Sequence, residues 1–167
     1  MVTKEQFKQG MTLDQYLTQM GTNKDKFVEF LQTIKIAPED KQALEKYGKK
    51  LNVLVITEDW CGDALYNVPV LAKMVEGNPN IEMRIFLRDK NKELMDQYLN
   101  QGMYRSIPVF AFFDENMNEV ARLLERPSKI TDQLEKKMLE VRRSMRAENL
   151  EQWRQDVVGE VRSLLKA

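Results

Sequence analysis

The stretch Asn52-Val53-Leu54-Val55-Ile56-Thr57-Glu58-Asp59-Trp60-Cys61-Gly62-Asp63-Ala64 decides how this chain is read. Residues 53–56 are continuously apolar, and the run is rich in β-branched side chains. Such a run predicts a short strand buried on both faces, as in the middle of an α/β sheet. The loop 58–63 follows at once. Residues 64–76 then place Leu65, Val68, Leu71, Ala72 and Val75 on one helical face. The single cysteine of the chain, Cys61, therefore stands between the end of a buried strand and the start of a helix.

Working outward, the same pattern repeats once and then changes. Gly77-Asn78-Pro79-Asn80 breaks the helix. Residues 81–87 form a second strand, and residues 92–100 a second helix ending near Gly102. Residues 109–113 form a third strand. Asp114 to Asn118 make a turn, and residues 119–124 pair back as a fourth strand. Helical crossovers between the first three strands predict that these three run parallel. The short turn makes the last two antiparallel. The expected fold class is α/β: a mixed four-stranded sheet flanked by helices.

Both ends add helices to this frame. Thr12-Leu13-Asp14-Gln15 has the form of a capping box, and Leu13, Tyr16, Leu17 and Met20 follow at helical spacing up to Gly21. Phe27, Phe30, Leu31 and Ile34 stripe a second helix. Pro38 opens a third, which Gly48 closes near Tyr47. At the other end, helix runs from about Ile130 onward as one segment or two. Its stripes are Leu134, Met138, Val141 and Met145, then Leu150, Trp153, Val157, Val161 and Leu164. These stripes are expected to pack as core against the sheet. The final one, with Trp153, offers an alternative contact with the N-terminal helices or a second copy, so a homodimer is open. The expected organisation is a single domain, 1–167, with a helical extension over 1–37, a core over 38–146 and a C-terminal extension over 147–167.

Composition removes many functions. The chain has 167 residues, 43% of them hydrophobic and 31% charged, as in a globular domain. Lys+Arg and Asp+Glu balance at 26 each, so no net field draws it to nucleic acid or an acidic membrane surface. The N-terminal residues lack the apolar core of a signal peptide, and no run approaches the ~20 residues that span a bilayer. A cytoplasmic location is the expectation. One cysteine forms no internal disulfide. The absence of histidine excludes Ser-His-Asp and Cys-His nucleophiles and the usual Cys/His zinc sites. No calcium loop or phosphate-binding glycine loop is present. No metal and no cofactor are expected, which leaves thiol chemistry at Cys61.

Three motifs in order carry a family resemblance. Trp60-Cys61-Gly62-Asp63-Ala64 resembles the thioredoxin active site, Trp-Cys-Gly-Pro-Cys. Pro69, eight residues after Cys61, stands where thioredoxins carry a kinking proline. Arg105-Ser106-Ile107-Pro108-Val109 resembles the thioredoxin Arg-Gly-Ile-Pro-Thr segment, whose proline is cis. The resemblance covers roughly Asp40 to Arg146. It is closest to the poorly characterised bacterial thioredoxin-like proteins with Glu-Asp-Trp-Cys-Gly-Asp after the first strand. It implies the thioredoxin-like fold and a role in thiol-disulfide exchange, with a protein or low-molecular-weight thiol or disulfide as partner.

The residues expected at the site are Cys61 as nucleophile, Asp63 to tune it, Arg105 to tune it and to bind a substrate carboxylate or backbone carbonyl, and Ile107 with Pro108 to line a groove for an extended substrate. Gly62 leaves room for a partner's backbone, and Trp60 packs over the site edge. Two departures matter. Ala64 replaces the second cysteine, so an external thiol must resolve any mixed disulfide. Val55 replaces the buried acid that many thioredoxins carry six residues before the first cysteine. Glu58, Asp59 and Asp63 crowd Cys61 with negative charge and no Lys or Arg lies between Leu54 and Ala72, so Arg105 is the cation expected to offset them. Glu58 and Asp59 themselves read as solvated loop charges. Two other readings stay open: a non-catalytic module that binds a peptide or small molecule in the same groove, and a thiol-transfer or peroxide-reducing enzyme.

Overall fold

The computed structural model describes residues 1–165. The chain forms two compact units, 1–126 and 127–167, which are taken in turn.

In the first unit four short helices precede the sheet: α1 (Lys4–Lys8), α2 (Leu13–Gln19), α3 (Lys24–Thr33) and α4 (Pro38–Tyr47). The capping box at α2 forms as its sequence directs: Thr12 Oγ1 accepts from Gln15 N at 3.3 Å, and Gln15 Oε1 accepts from Thr12 N at 2.9 Å. Gly48 closes α4 with φ of 65°, a left-handed conformation that favours glycine. The sheet and its connections follow as β1 (Leu51–Thr57), α5 (Gly62–Val75), β2 (Ile81–Leu87), α6 (Lys92–Met95), β3 (Val109–Phe113) and β4 (Glu119–Leu124). This is the thioredoxin-like α/β architecture, a mixed sheet in the order β2-β1-β3-β4.

β1 is the central strand and is buried on both faces. Leu54 and Ile56 face one core with Phe7, Phe86, Met95, Tyr98, Val109 and Ala111. Val53 and Val55 face the other with Tyr16, Phe27, Val68, Leu71, Ile85 and Phe110. Pairing of β1 with β2 is parallel, Val55 opposite Ile85. Pairing of β1 with β3 is antiparallel, Leu54 opposite Ala111. This corrects the expectation of three parallel strands. Between β2 and β3 the helical stretch is α6 continued by a 3-10 turn over Asp96–Tyr98, close to the expected 92–100. It rises about 12 Å, whereas a return along a seven-residue strand needs about 23 Å. The chain instead re-enters the sheet at the end where β2 left it. That reversal brings Ile107 and Pro108 to the C-terminal end of β1, beside Cys61.

The edge of β2 is covered by α1 and the residues after it. Met11 exchanges two backbone hydrogen bonds with Ile85, each 2.8 Å. Gly10 permits that approach, because a Cβ there would lie 2.5 Å from the Phe86 ring and 2.8 Å from the Arg84 Cβ.

The second unit holds α7 (Ser128–Glu148) and α8 (Leu150–Leu165), so the C-terminal helical pattern resolves into two helices. Leu134, Met138, Val141 and Met145 are exposed, as are Leu150, Trp153, Val157, Val161 and Leu164. The two helices are amphipathic, with the apolar residues of each on one stripe. Among the described residues no helix is long and apolar enough to cross a membrane.

Candidate functional site

Cys61 is the N-cap of α5, with extended backbone (φ −77°, ψ 122°). Its carbonyl accepts from Leu65 N at 3.0 Å and so starts the helix. Its amide donates to Glu58 O at 3.3 Å, which closes the preceding loop. The side chain is half-buried and touches both cores. Its thiol donates to the carbonyl of Ile107 at 3.4 Å. The Ile107–Pro108 peptide bond is cis, and both residues are buried. A half-buried thiol at a helix N-terminus is placed where negative charge on sulfur is favoured.

Around the thiol, Gly62 is open: a Cβ built on it would meet nothing within 4 Å. Trp60 lies at the edge, 48% exposed, with the Arg88 guanidinium 4.8 Å from its ring centre. Asp63, in the first turn of α5, is half-exposed and faces Arg126, with Arg126 Nη2 3.5 Å from its Oδ2.

Arg105 takes a different position from the one expected. Its guanidinium forms a two-pronged pair with Asp96, at 2.6 and 2.8 Å, and its exposed side chain is committed there. The hydrogen bonds from Arg105 hold the Asp96 carboxyl below its ordinary range. The cations at the site are Arg88 and Arg126. Local composition concealed both, because they arrive from the ends of β2 and β4. What signalled them was topology: in this sheet the ends of β1, β2 and β4 and the start of β3 meet.

Glu58 and Asp59 are also corrected, since neither is a solvated loop charge. Glu58 is buried and accepts from Asp89 N at 2.8 Å. Burial raises its carboxyl above the ordinary value, and the Asp89 amide only partly opposes this. Asp59 Oδ2 accepts from Gly21 N at 2.8 Å and Thr22 N at 3.0 Å, while its carbonyl accepts from Asn23 Nδ2 at 2.9 Å. Asp59 thereby ties the α2–α3 turn to the thiol loop. Tyr16, which sequence reasoning read only as core, brings its phenol to the same place. Burial pushes that phenol far up, a hydrogen bond with Thr57 opposes it, and the charges of Asp59, Glu58 and Cys61 add to it. The phenol is a neutral neighbour of the thiol.

A lone thiol on the N-terminus of a helix after a central strand, facing a cis-proline loop, defines a protein of the thioredoxin-like class. A sequence model of the family described as Thioredoxin matches residues 10–146, and the chain belongs to that family. Two solved structures share the architecture. One is a protein of unknown function from Pseudomonas aeruginosa, 20% identical, covering 99% of this chain and 98% of its own, with a TM-score of 0.68. The other is an HIV epitope scaffold, 23% identical, covering 79% of this chain and 82% of its own, also with a TM-score of 0.68. No curated protein matches the chain.

Proposed function

We propose that this protein carries out monothiol thiol-disulfide exchange through Cys61. The observation that carries the reading is the half-buried Cys61 thiol at the start of α5, held against the Ile107 carbonyl. In the first step the Cys61 thiolate attacks a substrate disulfide. A Cys61–substrate S–S bond forms, the substrate S–S bond breaks, and the second substrate sulfur leaves as thiolate. An external low-molecular-weight thiol, as thiolate, then attacks the mixed disulfide. It restores the Cys61 thiolate and carries the other sulfur away as a new disulfide. A further external thiol reduces that product, so two external thiols are oxidised for each disulfide reduced. No second thiol in the chain competes for this role, since Ala64 occupies the position a resolving cysteine would hold.

Each neighbouring group has a part in this reading. Trp60 and Gly62 border the groove, Ile107 and Pro108 line it, and an extended partner would take backbone hydrogen bonds along that loop. Asp63 sets the local charge. Arg105 stays outside the reaction, engaged with Asp96. The Glu-Asp-Trp-Cys-Gly-Asp motif supports a place in a bacterial thioredoxin-like group, and this reading puts the protein in the cytoplasm, where thiols that resolve a mixed disulfide are kept reduced.

The test is incubation with oxidised glutathione followed by intact mass. One glutathione should add at Cys61, be lost on adding reduced glutathione, and be absent in Cys61→Ser. A folded protein that stays unmodified, while its denatured form is modified, would leave only a binding function for the groove.

A further inference from the structure

A closed ring of contacts joins the thiol to the end of β4. The Cys61 thiol donates to Ile107 O, and the next residue's carbonyl, Pro108 O, accepts from Glu125 N at 2.7 Å. Glu125 O accepts from Asn67 Nδ2 of α5 at 3.1 Å, and its carboxylate accepts from Asn100 Nδ2 at 3.1 Å. Arg126 pairs with the Glu125 carboxylate on one side and approaches Asp63 on the other. Asp63 stands two residues from Cys61 and closes the ring.

Two features show that this arrangement is held against cost. Glu125 has φ of 63°, a left-handed conformation that disfavours a residue with a Cβ. The Arg126 Nε is buried with no hydrogen-bond partner, and such an orphan calls for an explanation beyond packing. Both features lie where one guanidinium meets the carboxylates of Glu125 and Asp63. The other charges near Cys61 are already engaged. Glu58 is turned to the Asp89 amide and Asp59 to the α2–α3 turn. Glu125 is spent on Arg126 and Asn100, Tyr16 of α2 is a neutral phenol, and Arg88 sits over Trp60. Asp63 is the acid left on the first turn of α5, where its charge opposes a thiolate at the same helix end.

We propose that Arg126 is a positioning residue that partly offsets the charge of Asp63, so that the positive end of α5 serves the Cys61 thiolate. This rests on the exchange reading above. It transfers to Arg126 the role that sequence position alone suggested for Arg105.

The test is a four-cornered cycle of wild type, Arg126→Gln, Asp63→Asn and the double variant. The apparent pKa of Cys61 is read from iodoacetamide alkylation rate against pH. Arg126→Gln should raise it by about half a pH unit, seen as roughly threefold slower alkylation below the pKa. Asp63→Asn should lower it, and in that background Arg126→Gln should have much less effect. Arg126→Lys should stay near wild type, and Arg105→Ala should change nothing. The proposal falls if folded Arg126→Gln matches wild type, or if its effect is as large without the Asp63 charge. Should Arg126→Gln fail to fold, it falls if Asp63→Asn does not lower the pKa or Arg126→Lys raises it. Alkylation needs no disulfide substrate. An intact cycle without mixed disulfide therefore sinks the exchange reading alone, and the converse sinks only the role of Arg126.

Discussion

The Cys61 sulfur lies 3.4 Å from the carbonyl oxygen of Ile107, a contact between the start of α5 and the segment entering β3. The reduced thiol donates there. A thiolate cannot, so ionisation gives up this hydrogen bond. Under the exchange reading, the freed Ile107 carbonyl is the acceptor that an amide of a bound partner would take.

Restoring a second thiol should change how the mixed disulfide resolves. Ala64 lies three residues after Cys61 on the first turn of α5 and is buried. Three-residue spacing puts two helix residues on one face. Ala64→Cys should therefore form an internal disulfide after the first exchange, detected as a loss of two hydrogens in intact mass. Release of the reduced substrate should no longer require glutathione, while an external thiol is still needed to reduce the internal disulfide before the next cycle. The added sulfur enters a packed core, at a cost of about 1 kcal/mol in denaturant unfolding. If the variant accumulates stable mixed disulfides, Ala64 does not face the thiol.

Gly62 separates access from stability. Its Cβ would meet no protein atom, so Gly62→Ala should leave stability unchanged or raise it by up to ~1 kcal/mol. The methyl would project into the groove beside the thiol. Exchange with a peptide or protein disulfide should slow by roughly tenfold, the equivalent of ~1.4 kcal/mol. Exchange with oxidised glutathione should slow much less. Equal slowing of both would show that the partner's backbone does not pass over Gly62.

Much of the site was legible because its motifs are local. Trp60-Cys61-Gly62 and Ile107-Pro108 each lie within a few residues, and the strand-to-helix change around Cys61 follows from periodicity alone. Strand direction was harder. Residues 92–98 are helical as their spacing directs, with the last turn tightened to 3-10, but periodicity does not show that so short a helix cannot return the chain along β2. The charge balance was least legible. Counting neighbours in sequence finds three acids and no base beside Cys61, yet Arg88 and Arg126 reach the site through sheet topology. Arg105, the cation nearest to a motif, is claimed by Asp96 nine residues before it. Two amphipathic helices at the end of the chain had the pattern of buried elements, but periodicity records only that a face is apolar, not what it meets.

The close approach at Gly10 gives a prediction about the first unit's edge. A Cβ there would sit 2.5 and 2.8 Å from atoms of the Phe86 ring and 2.8 Å from the Arg84 Cβ. Gly10→Ala should push the Met11 bridge away from Ile85 and cost about 1–3 kcal/mol. Urea unfolding measures the loss, and amide exchange at Met11 and Ile85 should accelerate selectively. An unchanged midpoint would mean that the segment shifts without strain.

Glu58 should make the protein's stability depend on mildly acidic pH in an unusual sense. Burial raises its carboxyl above the ordinary value of 4.5 in the folded state. Between 4.5 and the higher folded value, the folded chain holds more of this proton than the unfolded chain does. Stability from this group therefore falls as pH rises through that window, and the penalty is complete above the folded value. Glu58→Gln removes the charge and keeps an oxygen to accept from the Asp89 amide. Relative to wild type, it should gain stability as pH increases from about 4.5 and hold that gain above the folded value. Chemical unfolding of both proteins across this range checks the sign. A gain that is flat with pH would place the effect in packing; a gain that shrinks as pH rises would mean that the folded state favours the Glu58 charge, through the Asp89 amide or Arg88, over the neutral acid.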